Sequence, residues 1–218
     1  MKTITHTIEE ALQALRDGNP ILVHDAESRE GETDLMYPAT AVTPPDVARL
    51  RNDAGGLICV ALGDDVAEGF DLPFLQDTID HPTTEDHDLA YDDRSSFSLT
   101  VNHRDVRTGI TDRDRAHTIT ALGRAAASPD EFPFGATFRS PGHVHILRAA
   151  KDVLAERKGH TELGIALTTA ANLPPAIVVC EMLDDETGSA RSPADARAYA
   201  ARHGAPYLEG SQILNTLA

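Results

Sequence analysis

Lysine is scarce in this chain of 218 residues: Lys2, Lys151 and Lys158 are the only three, and arginine supplies the other bases. Thirty-five acids against 19 bases leave a net charge of -16. Such a surface argues against nucleic acid or an anionic membrane as partner. With so little lysine it also suggests a halophile's high-salt cytoplasm, where counterions screen self-repulsion. Cysteine is scarcer still. Cys59 and Cys180 both lie in apolar runs, so no disulfide framework is expected. No apolar run approaches a membrane span, and the N-terminus lacks a signal peptide's apolar core. A soluble, cytoplasmic protein is the expectation. No Gly/Ser- or Pro-rich linker divides the chain, so residues 1–218 read as a single domain with one core.

What is present is a regular alternation of helix and strand signals. Thr7-Ile8-Glu9-Glu10 is a capping box, and Ile8, Ala11, Leu12 and Leu15 recur at helical spacing before Gly18. Ile21–Val23 and Leu35–Tyr37 read as strands. Thr43-Pro44-Pro45-Asp46 opens a second helix, which Gly55-Gly56 breaks before a buried strand over 57–62. Phe97 to Val101 alternates as a half-buried strand does. Thr111-Asp112-Arg113-Asp114 caps a helix reaching about Ala127. Arg139 to Gly142 reads as a turn entering a strand that ends near Leu147. A helix follows Gly159 and runs to about Leu173, a strand covers 177–182, and Pro193 opens a last substantial helix. This order suggests an α+β or α/β protein with a mixed β-sheet flanked by helices.

The stretch around which the rest is organised is Asp25-Ala26-Glu27-Ser28-Arg29-Glu30-Gly31-Glu32-Thr33-Asp34. Five carboxylates and one arginine sit between two apolar runs. That density is repulsive unless a cation or a polar ligand lies among them. Taken alone, the loop is equally well read as solvated acidic surface. Asp77 to Arg94 is also polar and acidic, with His81 and His87 inside it; a mobile lid fits it better than a second metal centre. Glu181 stands inside an apolar run and is costly to bury unpaired, so it should face a cationic or protonated group.

Five motifs occur together in one order. They are D-x-E-x-R-E-x-E-x-D from Asp25, T-G-I-T-D-R-D-R from Thr108, P-G-H-V from Pro141, G-H-T-E from Gly159 and C-E-M-L-D-D-E-T-G-S-A-R from Cys180. In order and spacing they resemble 3,4-dihydroxy-2-butanone 4-phosphate synthase, a lyase family of riboflavin biosynthesis, over nearly the whole chain. The resemblance adds a compact three-layer α/β sandwich to the fold reading. It implies conversion of D-ribulose 5-phosphate to L-3,4-dihydroxy-2-butanone 4-phosphate and formate, through enediolate chemistry stabilised by Mg2+ or Mn2+, one or two ions per site. Some members carry a fused GTP cyclohydrolase II domain; the chain length and two cysteines suit the monofunctional form.

Site residues carry over position by position. Glu30 and His160 match the metal ligands. Glu30, His143 and Glu181 are candidates for moving protons, and Cys59 is a minor catalytic candidate because the family often has a cysteine near the substrate. Arg29 and Asp34 match positions that contact the sugar, and Arg157, Lys158, Gly159, His160, Thr161 and Thr108 belong to the substrate and phosphate site. The resemblance further implies a homodimer with the site shared across its interface. Two departures stand out: Ser140 precedes Pro141 where arginine is common, and Lys158 replaces a frequent glycine. Two rivals remain from the residues alone. Another divalent-metal-dependent sugar-phosphate aldolase or isomerase would release no formate. A non-catalytic sugar-phosphate-binding protein on the same fold would need no set of proton carriers.

Overall fold

The computed structural model describes residues 6–85, 89 and 94–218. In chain order the elements are α1 (Ile8–Arg16), β1 (Ile21–His24), β2 (Thr33–Pro38), α2 (Pro44–Arg49), β3 (Cys59–Leu62), α3 (Asp64–Gly69), β4 (Phe97–His103) and α4 (Asp112–Ala125). Then come α5 (Phe134–Thr137), β5 (Phe138–Arg148), α6 (His160–Ala170), β6 (Ala176–Val179), α7 (Pro193–His203), β7 (Tyr207–Glu209) and α8 (Gly210–Leu217). The anticipated cap of α1 is present: the Thr7 hydroxyl accepts the Glu10 N–H at 3.2 Å, and Glu10 Oε2 accepts the Thr7 N–H at 2.7 Å.

All seven strands form one mixed sheet in the order β4-β5-β3-β6-β2-β1-β7. The β5–β3 and β1–β7 pairs are parallel, and the others are antiparallel. Alternation along each strand sends side chains to two cores. On one face Val23, Met36, Cys59, Ala61 and Ile177 pack under α1, α6 and α8, through Leu12, Leu163, Leu167 and Ile213. On the other face Leu22, Leu35, Val60, Leu62 and Val178 meet α2, α4 and α7, through Val47, Ile119, Leu122 and Tyr199. The expected three-layer sandwich is therefore present. Truncating a fully buried residue such as Ile119 to alanine costs about 2–5 kcal/mol.

Several boundaries move for identifiable reasons. β3 starts at Cys59 rather than Leu57, because the Leu57 N–H donates to Glu181 Oε2 at 2.8 Å instead of to a strand. β6 stops at Val179; Glu181 and Met182 continue only as isolated bridges to Asp34 and Gly55. Arg139 to Gly142 is strand, not turn: Arg139 pairs with Asn102, and the Gly142 N–H donates to Thr100 Oγ1 at 3.1 Å. The short elements α3, β7 and α8 carried no signal strong enough to expect them. Of the proposed lid, Leu75–Asp77 and Pro82–Thr84 are single turns, while 86–88 and 90–93, with His87, lie outside the described residues. No helix among the described residues is long and apolar enough to cross a membrane.

Candidate active site

The acidic decapeptide folds as a tight hairpin loop between β1 and β2. Asp25 closes it. Its buried carboxylate accepts the Glu30 N–H at 3.2 Å and the Glu32 N–H at 3.1 Å, while the Asp25 N–H reaches the Glu32 carbonyl at 3.1 Å. Asp25 thereby fixes where Arg29, Glu30 and Glu32 point. Sequence reading did not give Asp25 a role of its own, although an Asp that begins a tight turn and accepts backbone N–H groups is a familiar signal.

These side chains face the first turn of α6. The His160 imidazole is 6% exposed; its Nδ1 lies 3.2 Å from Glu30 Oε2, and its Nε2 lies 3.7 Å from Asp34 Oδ1. His160 Nε2 and Asp34 Oδ1 are buried, and neither has a hydrogen-bond partner among the described residues. Native interiors rarely leave such atoms unpaired without a ligand or a role to explain them. Ligand atoms of Asp25, Glu30 and His160 lie within 4.8 Å of one another. Burial pulls the His160 imidazole down, but Asp34, Glu30 and Asp25 outweigh it and push it up to about 10. Burial, with Glu181, Glu30 and Glu32, raises the Asp34 carboxyl well above its ordinary value despite His160. Burial, then Glu30 and Glu181, also raises Glu32. All three shifts say the same thing: without a cation among them, the group retains extra protons. A dication replaces such protons, so this donor set fits one.

A cavity of about 380 Å³ opens over the cluster. It is lined by Arg29, Glu30, Glu32, Asp34, Cys59, Arg157, Gly159, His160, Thr161 and Glu181, with Ser96, Phe97, Leu147 and Val179 as the further wall. Nine predicted site residues, from the β1–β2 hairpin, β3, the approach to and start of α6, and the segment after Val179, thus converge. Arg157 is oriented by a hydrogen bond to Ser96 and by Glu162, whose Oε1 lies 3.6 Å away. Glu162 is wholly buried and also accepts the Ala150 N–H at 3.0 Å. Gly159 caps α6 with no side chain, and a Cβ there would meet Arg29 Nη2 at 3.0 Å. The helix N-terminus and two guanidinium groups give the cavity an anion-binding end. Glu32, Ser96 and the apolar wall were not singled out from sequence; Glu32 at least lies within the motif.

Three predicted residues are not part of that wall. Lys158 is exposed and lines an adjacent cavity with Ala26, Ser28, Arg29 and Arg157. Thr108 and His143 are exposed on the β4–β5 side. Asn102 holds His143: its Oδ1 accepts the His143 N–H at 2.9 Å, and its Nδ2 donates to His143 Nδ1 at 3.1 Å and to the Thr108 carbonyl at 3.3 Å. The start of α4 is capped, as the Thr111-Asp112-Arg113-Asp114 signal implies. Thr111 caps Asp114, and the Asp114 carboxylate takes the Gly109 N–H at 2.9 Å and the Thr108 hydroxyl at 3.2 Å.

Two residues are held in ways the sequence did not show. Glu181 lines the cavity and its Oε2 accepts the Leu57 N–H at 2.8 Å, and Gly56 can carry no Cβ because the Glu181 side chain and backbone occupy that space. The Cys59 thiol also lines the cavity, and burial, then Glu181 and Asp34, hold it well above its ordinary value.

The fold and cavity define a class: a three-layer α/β protein with a carboxylate-rich, cation-competent site for a small anionic molecule. A profile of the 3,4-dihydroxy-2-butanone 4-phosphate synthase family matches residues 9–216. The chain is 47% identical to the enzyme of that name from Methanosarcina mazei, over 98% of this chain and 92% of that protein. It is 46% identical to the one from Archaeoglobus fulgidus, over 94% and 92%. The Candida albicans crystal structure superposes with a TM-score of 0.81 at 31% identity, covering 99% of both chains. A crystal structure of such a synthase in complex with two magnesium ions gives 0.81 at 28% identity, covering 95% and 94%. The chain belongs to the 3,4-dihydroxy-2-butanone 4-phosphate synthase family.

Proposed function

We propose that this protein cleaves D-ribulose 5-phosphate to L-3,4-dihydroxy-2-butanone 4-phosphate and formate, as a single catalytic domain working in the cytoplasm. The observation that carries the reading is the His160 imidazole between Glu30 and Asp34, with two buried atoms that have no hydrogen-bond partner among the described residues, beneath an arginine-lined cavity. Glu30 and His160 would hold Mg2+, with Mn2+ as a substitute, and the relative that binds two magnesium ions supports one or two per site. A bound dication offsets the charge that develops when a proton leaves carbon beside a carbonyl.

The chain's own residues divide the remaining work. Arg29 and Asp34 orient the sugar hydroxyls. Arg157 and Thr161, at the start of α6, anchor the phosphate, and Lys158 adds positive charge behind them. A fixed phosphate supplies binding energy for orienting the reacting carbons. Glu30, Glu181 and His143 carry the protons. Cys59 serves as a neutral wall beside Val179.

Thr108 and His143 belong to this chemistry only if a second copy supplies them. A two-fold homodimer with the Thr108 and His143 of one chain completing the cavity of the other accounts for their exposure in the single chain. Ile110, beside Thr108, is 52% exposed, and Phe97 at the cavity wall is 37% exposed; both suit an interface. The acid-rich, lysine-poor composition supports a salt-adapted surface; a melting temperature flat or falling from low to molar potassium chloride would remove that reading.

The functional test is direct. Purified protein, ribulose 5-phosphate and magnesium should yield formate and the butanone phosphate in equal amounts. An altered sugar phosphate without formate would point to the aldolase or isomerase rival, and binding without turnover to a sensor.

A further inference from the structure

A second polar cluster lies on the opposite face of the sheet. Alternation along β4 turns Asn102 toward His143 and His103 toward α4. There His103 packs edge-on against Phe138, with ring centroids 5.6 Å apart, and against His117 of α4 at 4.4 Å. His103 Nδ1 lies 3.2 Å from His117 Nε2 and 3.7 Å from Asp105 Oδ2. One donor atom from each of the three falls within 4.8 Å of the other two. Donors bound at about 2.0–2.1 Å to one tetrahedral ion stand about 3.4 Å apart. The two short separations bracket that value.

We propose that His103, His117 and Asp105 bind a first-row transition dication, zinc foremost, at a site separate from the acidic cavity. Two imidazoles and one carboxylate favour zinc, cobalt or nickel over magnesium, which prefers a set made mostly of oxygen ligands. His117 and Asp105 are exposed, which leaves a fourth position to water. Burial, with His117 adding to it, holds the His103 imidazole below its ordinary value, and the neutral ring is the form that ligates.

Without an ion, the His103–His117 contact is an N–H···N bond, and the Asp105 N–H also reaches His103 Nδ1 at 3.2 Å. The ion replaces both. The His117 proton moves from Nε2 to Nδ1, so neither ring changes charge, and the exposed Asp105 N–H is left to water. The ion would tie the end of β4 to the middle of α4, just before the segment carrying Thr108.

The test titrates zinc calorimetrically into the whole protein with magnesium in large excess, alongside His117→Ala, Asp105→Asn and Glu30→Gln. Cobalt(II) replaces zinc for a visible spectrum. Wild type and Glu30→Gln should share one zinc site per chain of matching affinity, whatever zinc also enters the acidic cavity, and cobalt in Glu30→Gln should give a ligand-field band. His117→Ala should bind at least about tenfold more weakly and lose the band. Asp105→Asn should weaken binding less. His117 is exposed on a helix, so melting without zinc should match wild type and separate ligand loss from misfolding. Unchanged zinc affinity in His117→Ala, loss in Glu30→Gln alone, or no zinc binding by wild type would each overturn the proposal.

Discussion

Two polar groups lie along the sheet, and they treat their hydrogen bonds differently. In the acidic cavity, Asp34 Oδ1 and His160 Nε2 are buried and have no hydrogen-bond partner among the described residues. Around His143, both ends of the Asn102 amide are engaged, and Asp114 satisfies Thr108 and Gly109. The first group is unfinished in the chain alone, and a ligand can complete it. The second is internally satisfied, and presents an exposed imidazole with its tautomer set by Asn102. Because Asn102 Nδ2 donates to His143 Nδ1, the neutral ring carries its proton on Nε2. One group is built to receive, the other to be delivered. That contrast is what the shared-site reading rests on, and it can be broken at either end.

The largest effect is expected in the unfinished group. Glu30→Gln and His160→Ala should each reduce formate release by at least about a thousandfold, through lost cation binding. Both side chains sit at the loop and the first turn of α6 rather than in the apolar core, so circular dichroism should show an intact fold. Chelation of the wild type should stop turnover, and magnesium or manganese should restore it. Near-wild-type formate release by Glu30→Gln would falsify the cation assignment and return the acidic loop to plain solvated surface.

Removal of a proton carrier should cost less. His143→Ala and Glu181→Gln should lower kcat by about 10²–10⁴-fold, the usual weight of general acid–base catalysis. Both should retain metal-dependent substrate binding, measurable by calorimetry. A variant that loses binding and turnover together would instead have a structural part, which for Glu181 includes the Leu57 N–H bond.

A third experiment asks whether the two groups work in one cavity from different chains. Co-expression of Glu30→Gln and His143→Ala with different tags allows the mixed dimer to be isolated. If the site is shared, one cavity holds both lesions and the other holds neither. The mixed dimer should then recover about half of wild-type activity, although each parent dimer is inactive. An inactive mixed dimer would confine the site to one chain.

Much of this contrast was legible in the sequence. Strand alternation and helical spacing carry the three layers, because Val60 and Leu62 must face away from Cys59 and Ala61 in any pleated strand. The acidic loop, the Gly159 cap and His160 are local signals, and they were legible for that reason. Non-local facts were not. Nothing near Glu181 in sequence reveals that the Leu57 N–H, 124 residues away, will satisfy it. Ser96 beneath Arg157 and Asn102 beneath His143 were equally hidden, since each partner comes from another strand or from the loop before α6. The Thr111 cap of α4 was a local signal, whereas the return of the Asp114 carboxylate to the Gly109 N–H depends on how the loop after β4 folds.

The smallest effect is expected at Cys59, where the two groups come nearest in register. Cys59 pairs with His145, two residues along β5 from His143, and its side chain lines the acidic cavity. Were it a thiolate, it would act as a base or nucleophile between the groups, and its loss would rival that of His143. Burial and the Glu181 and Asp34 carboxylates keep it protonated instead. Cys59→Ser should therefore change kcat by no more than about tenfold, and should lower stability by about 1–3 kcal/mol for burying a hydroxyl. The pH profile of formate release should keep the same shape, because no thiol titration contributes to it. A thousandfold loss in Cys59→Ser, together with a missing alkaline limb, would place a reactive thiolate in the cavity and make the wall between the groups a participant.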